Sequence, residues 1–279
     1  MIKSILHIIK IQLQFGLATC QIIFPLMTLS QNNIETRKEI KNDSVYIDFI
    51  NPLYAPVTFT ITEYDSLKGV YITAPEIILK AKDTAQNIVI IPLSLIIDTT
   101  SINLNHYIKT KGTLGEPDIS PDYNYTYALP YPKGKSYKIM QSFGGKFSHT
   151  MEHSKYAIDF TMPVGDTITA ARDGLVVLTI DHFKEHGGRD FMNKANKIVI
   201  MHDDGTFAHY DHLDYQGVLV QNGDRVEKGK PIGISGFTGF STKPHLHFAV
   251  LEEDSKSIPV YFEGLEQKVL KKGKTYKNR

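Results

Sequence analysis

Pro244-His245-Leu246-His247-Phe248-Ala249-Val250-Leu251 reads as a strand whose first half carries chemistry. On an extended chain, residues two apart project from the same face. His245 and His247 therefore point together, while Leu246 and Phe248 turn towards a core. Two imidazoles presented side by side suit a metal ligand next to a base. The surrounding sequence supports the strand. Ile168-Thr169-Ala170-Ala171, Leu175 to Ile180, Ile198 to Met201 and Phe207 to Tyr210 are apolar runs of strand length, most of them β-branched. Asp173-Gly174, Asp204-Gly205 and Asn222-Gly223 are dipeptides that favour hairpin turns. No long amphipathic helix pattern and no repeat of solenoid period interrupts them. The expected fold class is all-β.

Composition narrows the function. The chain has 279 residues, 42% hydrophobic and 22% charged, with a net charge of +1. Those values exclude a disordered chain, a collagen and a polytopic membrane protein, and no global field recruits nucleic acid. The single cysteine, Cys20, excludes an intrachain disulfide framework and a cysteine-based zinc cluster. Nine of the eleven histidines fall between His149 and His247.

Towards the N-terminus, Lys3 and Lys10 precede an apolar stretch to Leu29, and Thr28 and Ser30 place small residues before Gln31. This pattern predicts a signal peptide over 1–30, hence an exported, periplasmic or extracellular protein with no transmembrane segment once mature. Leu17-Ala18-Thr19-Cys20 is a near-lipobox, so a lipid anchor on Cys20 is the minor option. Residues 31–111 read as short strands: Val57-Thr58-Phe59-Thr60-Ile61-Thr62 alternates at period two, and further apolar runs cover Val70 to Thr73, Ile77 to Leu79 and Ile88 to Ile91. The spacing predicts a β-sandwich-like domain in which nothing looks catalytic; the lone His106 leaves it a packing or spacing role, or a binding or positioning one. Residues 112–265 form a second domain. It opens with an arm rich in Gly, Pro and the tyrosines Tyr123, Tyr125, Tyr127 and Tyr131, which either line a groove or, more commonly, pin the arm to the surface. Residues 266–279 are a basic tail, read as a solvated end.

Two further elements complete the histidine set. Ser148-His149-Thr150 precedes Tyr156-Ala157-Ile158-Asp159-Phe160, in which Asp159 lies between apolar neighbours. A histidine, Asp159 and one of His245 and His247 give three N/O ligands, the open pattern of catalytic zinc. In Ala208-His209-Tyr210-Asp211-His212-Leu213, strand alternation puts His212 on the face of Tyr210, and His209 on the other face as a packed or surface imidazole. His212 offers a proton acceptor or donor. His182-Phe183-Lys184-Glu185-His186 spells an inverted zincin motif, but Gly187-Gly188 leave no helix for it. His202-Asp203-Asp204 reads as a turn rather than as part of an iron facial triad.

These elements resemble the lysostaphin-type, LytM-like zinc endopeptidases of bacterial cell walls. The matching text runs from Phe147-Ser148-His149 through Tyr156-Ala157-Ile158-Asp159-Phe160, Met162-Pro163-Val164-Gly165 and Ala171-Arg172-Asp173-Gly174 to Tyr210-Asp211-His212-Leu213 and Pro244-His245-Leu246-His247-Phe248. The resemblance implies an antiparallel β-sheet groove with Zn2+ on its floor. It implies His149, Asp159 and His247 as zinc ligands, and His212 and His245 as catalytic histidines. It implies peptidoglycan stems or cross-bridges as substrate, cut by a monomer. The first histidine departs from the common spacing of the family: Lys155 stands four residues before Asp159, so His149 is the favoured ligand and His153 the alternative. Asp181 to Asn193 reads as an inserted loop forming a groove wall. A non-catalytic wall-binding or regulatory module of the same fold is the alternative function.

Overall fold

The computed structural model describes residues 34–64, 68–252, 256–265 and 268–279, together with the backbone of residues 18–19. Save for that pair, the leader expected over 1–30, with Cys20 and the Ser30-Gln31 junction, lies outside the described residues. Among the described residues there is no α-helix, and the only helical elements are 3-10 turns. No helix there is long and apolar enough to cross a membrane.

Alternation builds the N-terminal half. Along Val57–Glu63, Val57, Phe59 and Ile61 are fully buried. Along Ser44–Ile50, Val45, Ile47 and Phe49 are buried in the same way. The first strand lies between Glu76–Leu79 and Ile108–Leu114 in one antiparallel sheet. The second pairs with Glu35–Lys41 and Thr84–Pro92 in another. The inward residues of the two sheets share one core, in which the Phe49 and Phe59 rings lie 5.1 Å apart.

The C-terminal half is built on an eleven-stranded sheet, counted among the described residues. Its central strands run in the order Gly174–Ile180, Asn196–Met201, Phe207–Val218, Leu246–Glu252, Ile158–Thr161 and Ser136–Gln141, each antiparallel to the next. One face carries Ile158, Phe160, Ile198, Tyr210, Phe248 and Val250, buried beneath the arm through Tyr127, Leu129 and Tyr131. The tyrosines thus pin the arm: Tyr131 is fully buried and its hydroxyl donates to the Tyr276 carbonyl, 2.9 Å away. Arg172 adds to the anchorage, lying 4.0 Å above the Tyr125 ring and 2.7 Å from Asp204.

The opposite face is divided. Val177, Leu178, Ile180, Val199 and Phe207 join the core of the N-terminal sheets, so packing runs without a break across residues 111 and 112. Beyond them the same face opens into a cleft. Val199 is the direct cross-strand partner of His209, and His209 already lines that cleft.

Three local expectations need correction. Asp204-Gly205, with Gly205 at φ +82°, closes the hairpin between Asn196–Met201 and Phe207–Val218. Asp173-Gly174 and Asn222-Gly223 close none, because the strands on either side of each pair elsewhere. The C-terminal segment is not a solvated end: Thr275–Lys277 pairs with Ser136–Lys138, and Leu270 is buried in the core. Its lysines conceal an apolar Leu270 and Tyr276 that dock it.

Candidate metal centre and cleft

One rung of directly opposed residues crosses five strands. Lys197 faces Asp211, Asp211 faces His247, His247 faces Asp159, and Asp159 faces Gln141. Direct partners in a pleated sheet project to the same side. Register alone therefore gathers five polar side chains on the floor of the cleft, although they are spread over more than a hundred residues of sequence.

His149 reaches the rung from the loop after Ser136–Gln141. That loop is tied down by the His149 amide to the Gly145 carbonyl at 2.9 Å and by Ser154 Oγ to the Ser148 carbonyl at 2.8 Å. Gly145 is needed there, since a Cβ would stand 2.2 Å from the Gln141 side chain. His149 is fully buried, and its Nδ1 lies 3.0 Å from the Ser142 carbonyl. A carbonyl only accepts, so Nδ1 carries the hydrogen and Nε2 presents its lone pair. Nε2 stands 3.2 Å from Asp159 Oδ1, and His247 Nδ1 stands 2.8 Å from the same oxygen. One donor atom from each of His149, Asp159 and His247 lies within 4.8 Å of the others. The second carboxylate oxygen of Asp159 accepts from Gln141 Nε2 at 3.1 Å, and Gln141 also bonds Ser148 Oγ and the Phe147 amide. Gln141 thereby joins Asp159 to the loop that carries His149.

His245 and His212 flank this cluster, with ring centroids 4.6 Å apart. His245 Nδ1 is 2.8 Å from the Lys243 carbonyl, and His212 Nδ1 is 2.7 Å from the Thr238 carbonyl. Both therefore hold a hydrogen on Nδ1 and leave Nε2 as an acceptor. His212 does not obey the alternation expected of it. Tyr210, two residues earlier, is buried in the core on the other face. The partner of Asn196 is Leu213 and that of Lys197 is Asp211, so His212 is the extra residue of a β-bulge, at φ +69°. The bulge turns its imidazole into the cleft. His209 and Asp211, expected on the far side from His212, share the cleft with it.

Charge follows burial. Burial pushes the Asp159 carboxyl up, but the adjoining imidazoles of His149 and His247 outweigh it and hold the group well below the usual carboxylate range. Burial lowers His247, and the bonded Asp159 more than reverses this. His212 is pushed down to about 3 by burial, with the neighbouring His245 and His247 adding to it. Burial likewise lowers His245. Near neutral pH both flanking imidazoles are therefore neutral bases.

His153 is half-buried at the cleft edge and outside the three-donor cluster. The loop after Asp181 supplies Arg189 and Met192 to the cleft wall. His182 and His186 sit exposed in that loop with no helix beneath them, so the inverted zincin arrangement is not formed. His202 is buried with Nδ1 on the Asp173 carbonyl at 2.7 Å, away from the cleft. The sequence reading overlooked Gln141, Asp211 and Lys197; only the pairing register, which local pattern does not carry, brings them to the site.

Residues 153–259 match the model of peptidase family M23. A peptidoglycan DD-endopeptidase of Vibrio cholerae, ShyA, is 32% identical over 124 residues, covering 43% of this chain and 26% of that protein. A glycyl-glycine endopeptidase of Staphylococcus capitis, ALE-1, is 42% identical over 94 residues, covering 33% of this chain and 23% of that one. The chain spans about a quarter of the length of these curated relatives. The catalytic domain of lysostaphin from Staphylococcus simulans aligns at 28% identity over 51% of this chain and 95% of that one, with a TM-score of 0.32.

Proposed function

We propose that this chain, which carries a peptidase family M23 domain over residues 153–259, is an exported zinc-dependent endopeptidase that cuts peptide cross-links of bacterial peptidoglycan. The observation that carries the reading is the set of three donors beside two imidazoles with free Nε2 atoms. The donor set fits zinc. Bonds of about 2.0–2.1 Å in a tetrahedron put neighbouring donors ~3.3 Å apart, close to the 3.2 and 2.8 Å measured here. Two nitrogens and one oxygen leave the fourth position for water or substrate, as catalytic zinc requires.

In this reading His149, Asp159 and His247 hold the ion. Bound there, zinc supplies a Lewis acid for the scissile carbonyl and acidity for the attacking water. His149 stays oriented through its Nδ1 hydrogen on the Ser142 carbonyl, and Asp159 through Gln141. One of His212 and His245 accepts the water proton at Nε2, and the imidazolium so formed donates it to the oxygen that gains charge or to the leaving amine, while the second imidazole keeps its neutral Nε2 as a further acceptor beside the same site. The cleft, ≈ 770 Å³, admits a short peptide segment. The basic and apolar leader over 1–30 supports export, with cleavage after Ser30.

The test is mass spectrometry of muropeptides released from purified peptidoglycan, with and without chelator. Release of cross-link fragments that stops on chelation is expected. Binding to the wall without any release would replace this reading with that of a non-catalytic wall-binding module.

A further inference from the structure

The rung has an end that metal chemistry does not use. Lys197 is 12% exposed on the cleft floor, and its Nζ lies 3.9 Å from Asp211 Oδ1, beyond hydrogen-bond distance. Asp211 Oδ1 is buried and has no hydrogen-bond partner among the described residues. A nearly buried ammonium with three donors thus faces the cleft with only a loose counter-ion. Its surroundings add to the field. Arg189, Lys243 and Lys272 also line the cleft, none in an ion pair among the described residues. The acids in the lining are Asp159, engaged by the histidines, and Asp211. A chain of net charge +1 therefore concentrates positive charge in its cleft.

We propose that Lys197 is the anchor of a substrate subsite for a carboxylate, placed on the same rung as the metal cluster and assisted by the basic rim of Arg189, Lys243 and Lys272. This rests on the endopeptidase reading and narrows its substrate. Lys197 lies two strand spacings from His247, about 10 Å, which an extended peptide spans in about three residues. The preferred cross-link thus carries a free carboxylate within three residues of the scissile bond, rather than being a bridge of uncharged residues. The 3.9 Å between Lys197 Nζ and Asp211 Oδ1 leaves room for a second oxygen to bond.

The experiment compares cross-linked muropeptides in two forms, peptide carboxylates free or converted to carboxamides, as substrates of the zinc-loaded protein. Equilibrium binding of the uncross-linked stem peptide in its two forms is read separately. The free carboxylate should be favoured about 10- to 100-fold in kcat/KM and in binding, the range of a charge-assisted hydrogen bond. In Lys197→Met that ratio should fall towards one. Removing one partner leaves a buried charge, so the pair K197M/D211N serves as the variant that keeps the fold. Equal use of the two forms by the wild-type protein overturns the subsite. So does a preference that survives in both variants, which would mean that the carboxylate ligates the metal. If neither form is cut while the binding preference and its loss in Lys197→Met are seen, the endopeptidase reading fails and the subsite stands.

Discussion

Tyr210 and His212 lie two residues apart on the strand Phe207–Val218 and leave it on opposite faces. Tyr210 is fully buried, its hydroxyl oxygen accepting from the Ala171 amide at 2.8 Å. His212 takes the left-handed backbone of the bulge, φ +69°, and faces the cluster of His149, Asp159 and His247. A non-glycine residue in that region costs about 1–2 kcal/mol. At His212 this strain accompanies the turning of the ring into the cleft.

Replacing His212 separates chemistry from backbone. His212→Ala and His212→Gly should both fold, keep zinc and lose about 10²–10⁴-fold in turnover, the worth of a positioned acid–base group. The glycine variant should be about 1 kcal/mol more stable than the alanine variant, because glycine adopts φ +69° without strain. His245→Ala should match the loss in turnover, and the double variant should lose less than the sum, since both groups serve one transition state. Zinc content, muropeptide release and urea midpoints measure all three. A metal-free His212→Ala protein would make His212 a ligand and overturn its assignment as a base.

His149→Ala should lose zinc and activity together, whereas His153→Ala should retain most of both. His149 is fully buried with Nε2 at the cluster, while His153 sits at the cleft edge. Elemental analysis after dialysis distinguishes them, and the opposite outcome would make His153 the ligand.

Gln141 is not one of the three clustered donors, yet it holds the second oxygen of Asp159 and the loop of His149. Gln141→Ala should weaken zinc binding about 10- to 100-fold, as loss of an outer partner does. Competition with a chromogenic chelator gives the number. Zinc affinity equal to that of the wild-type protein would show that the carboxylate orients itself.

His202 gives a pH-dependent stability outside the site. Burial pushes it down to about 4 from 6.5. Between those values the unfolded chain binds a proton that the folded chain refuses. The contribution is thus fully present above pH 6.5 and is lost as pH falls towards 4, by up to about 3 kcal/mol. Asn at this position keeps a donor for the Asp173 carbonyl but does not titrate. Urea unfolding of wild type and His202→Asn at pH 7 and pH 4.5 should show the wild type losing more stability on acidification. Parallel losses would mean that other groups carry the acid sensitivity.

What was legible in the sequence is what alternation and residue chemistry carry locally. His247 on its strand, Asp159 between Ile158 and Phe160, the Asp204-Gly205 hairpin and Val57 to Ile61 all follow from period two. The face of His212 was not legible, because nothing in Asp211-His212-Leu213 marks the inserted residue of a bulge; a glycine would have. Lys197, Asp211 and Gln141 escaped for another reason. Each looks like an ordinary strand residue, and its role arises from register between strands distant in sequence. The C-terminal segment was misread because six cations outweigh Leu270 and Tyr276 in composition but not in packing.

The shared core has a practical outcome for anyone dissecting the molecule. Trimming the chain to its C-terminal half would lay bare Val177, Leu178, Ile180, Val199 and Phe207. Each such side chain forfeits about 1.5–3 kcal/mol on return to water, and together they form a sticky apolar strip beside the cleft. The excised fragment would clump before it could be assayed. The two halves are better pictured as a blade and its welded handle than as beads on a string.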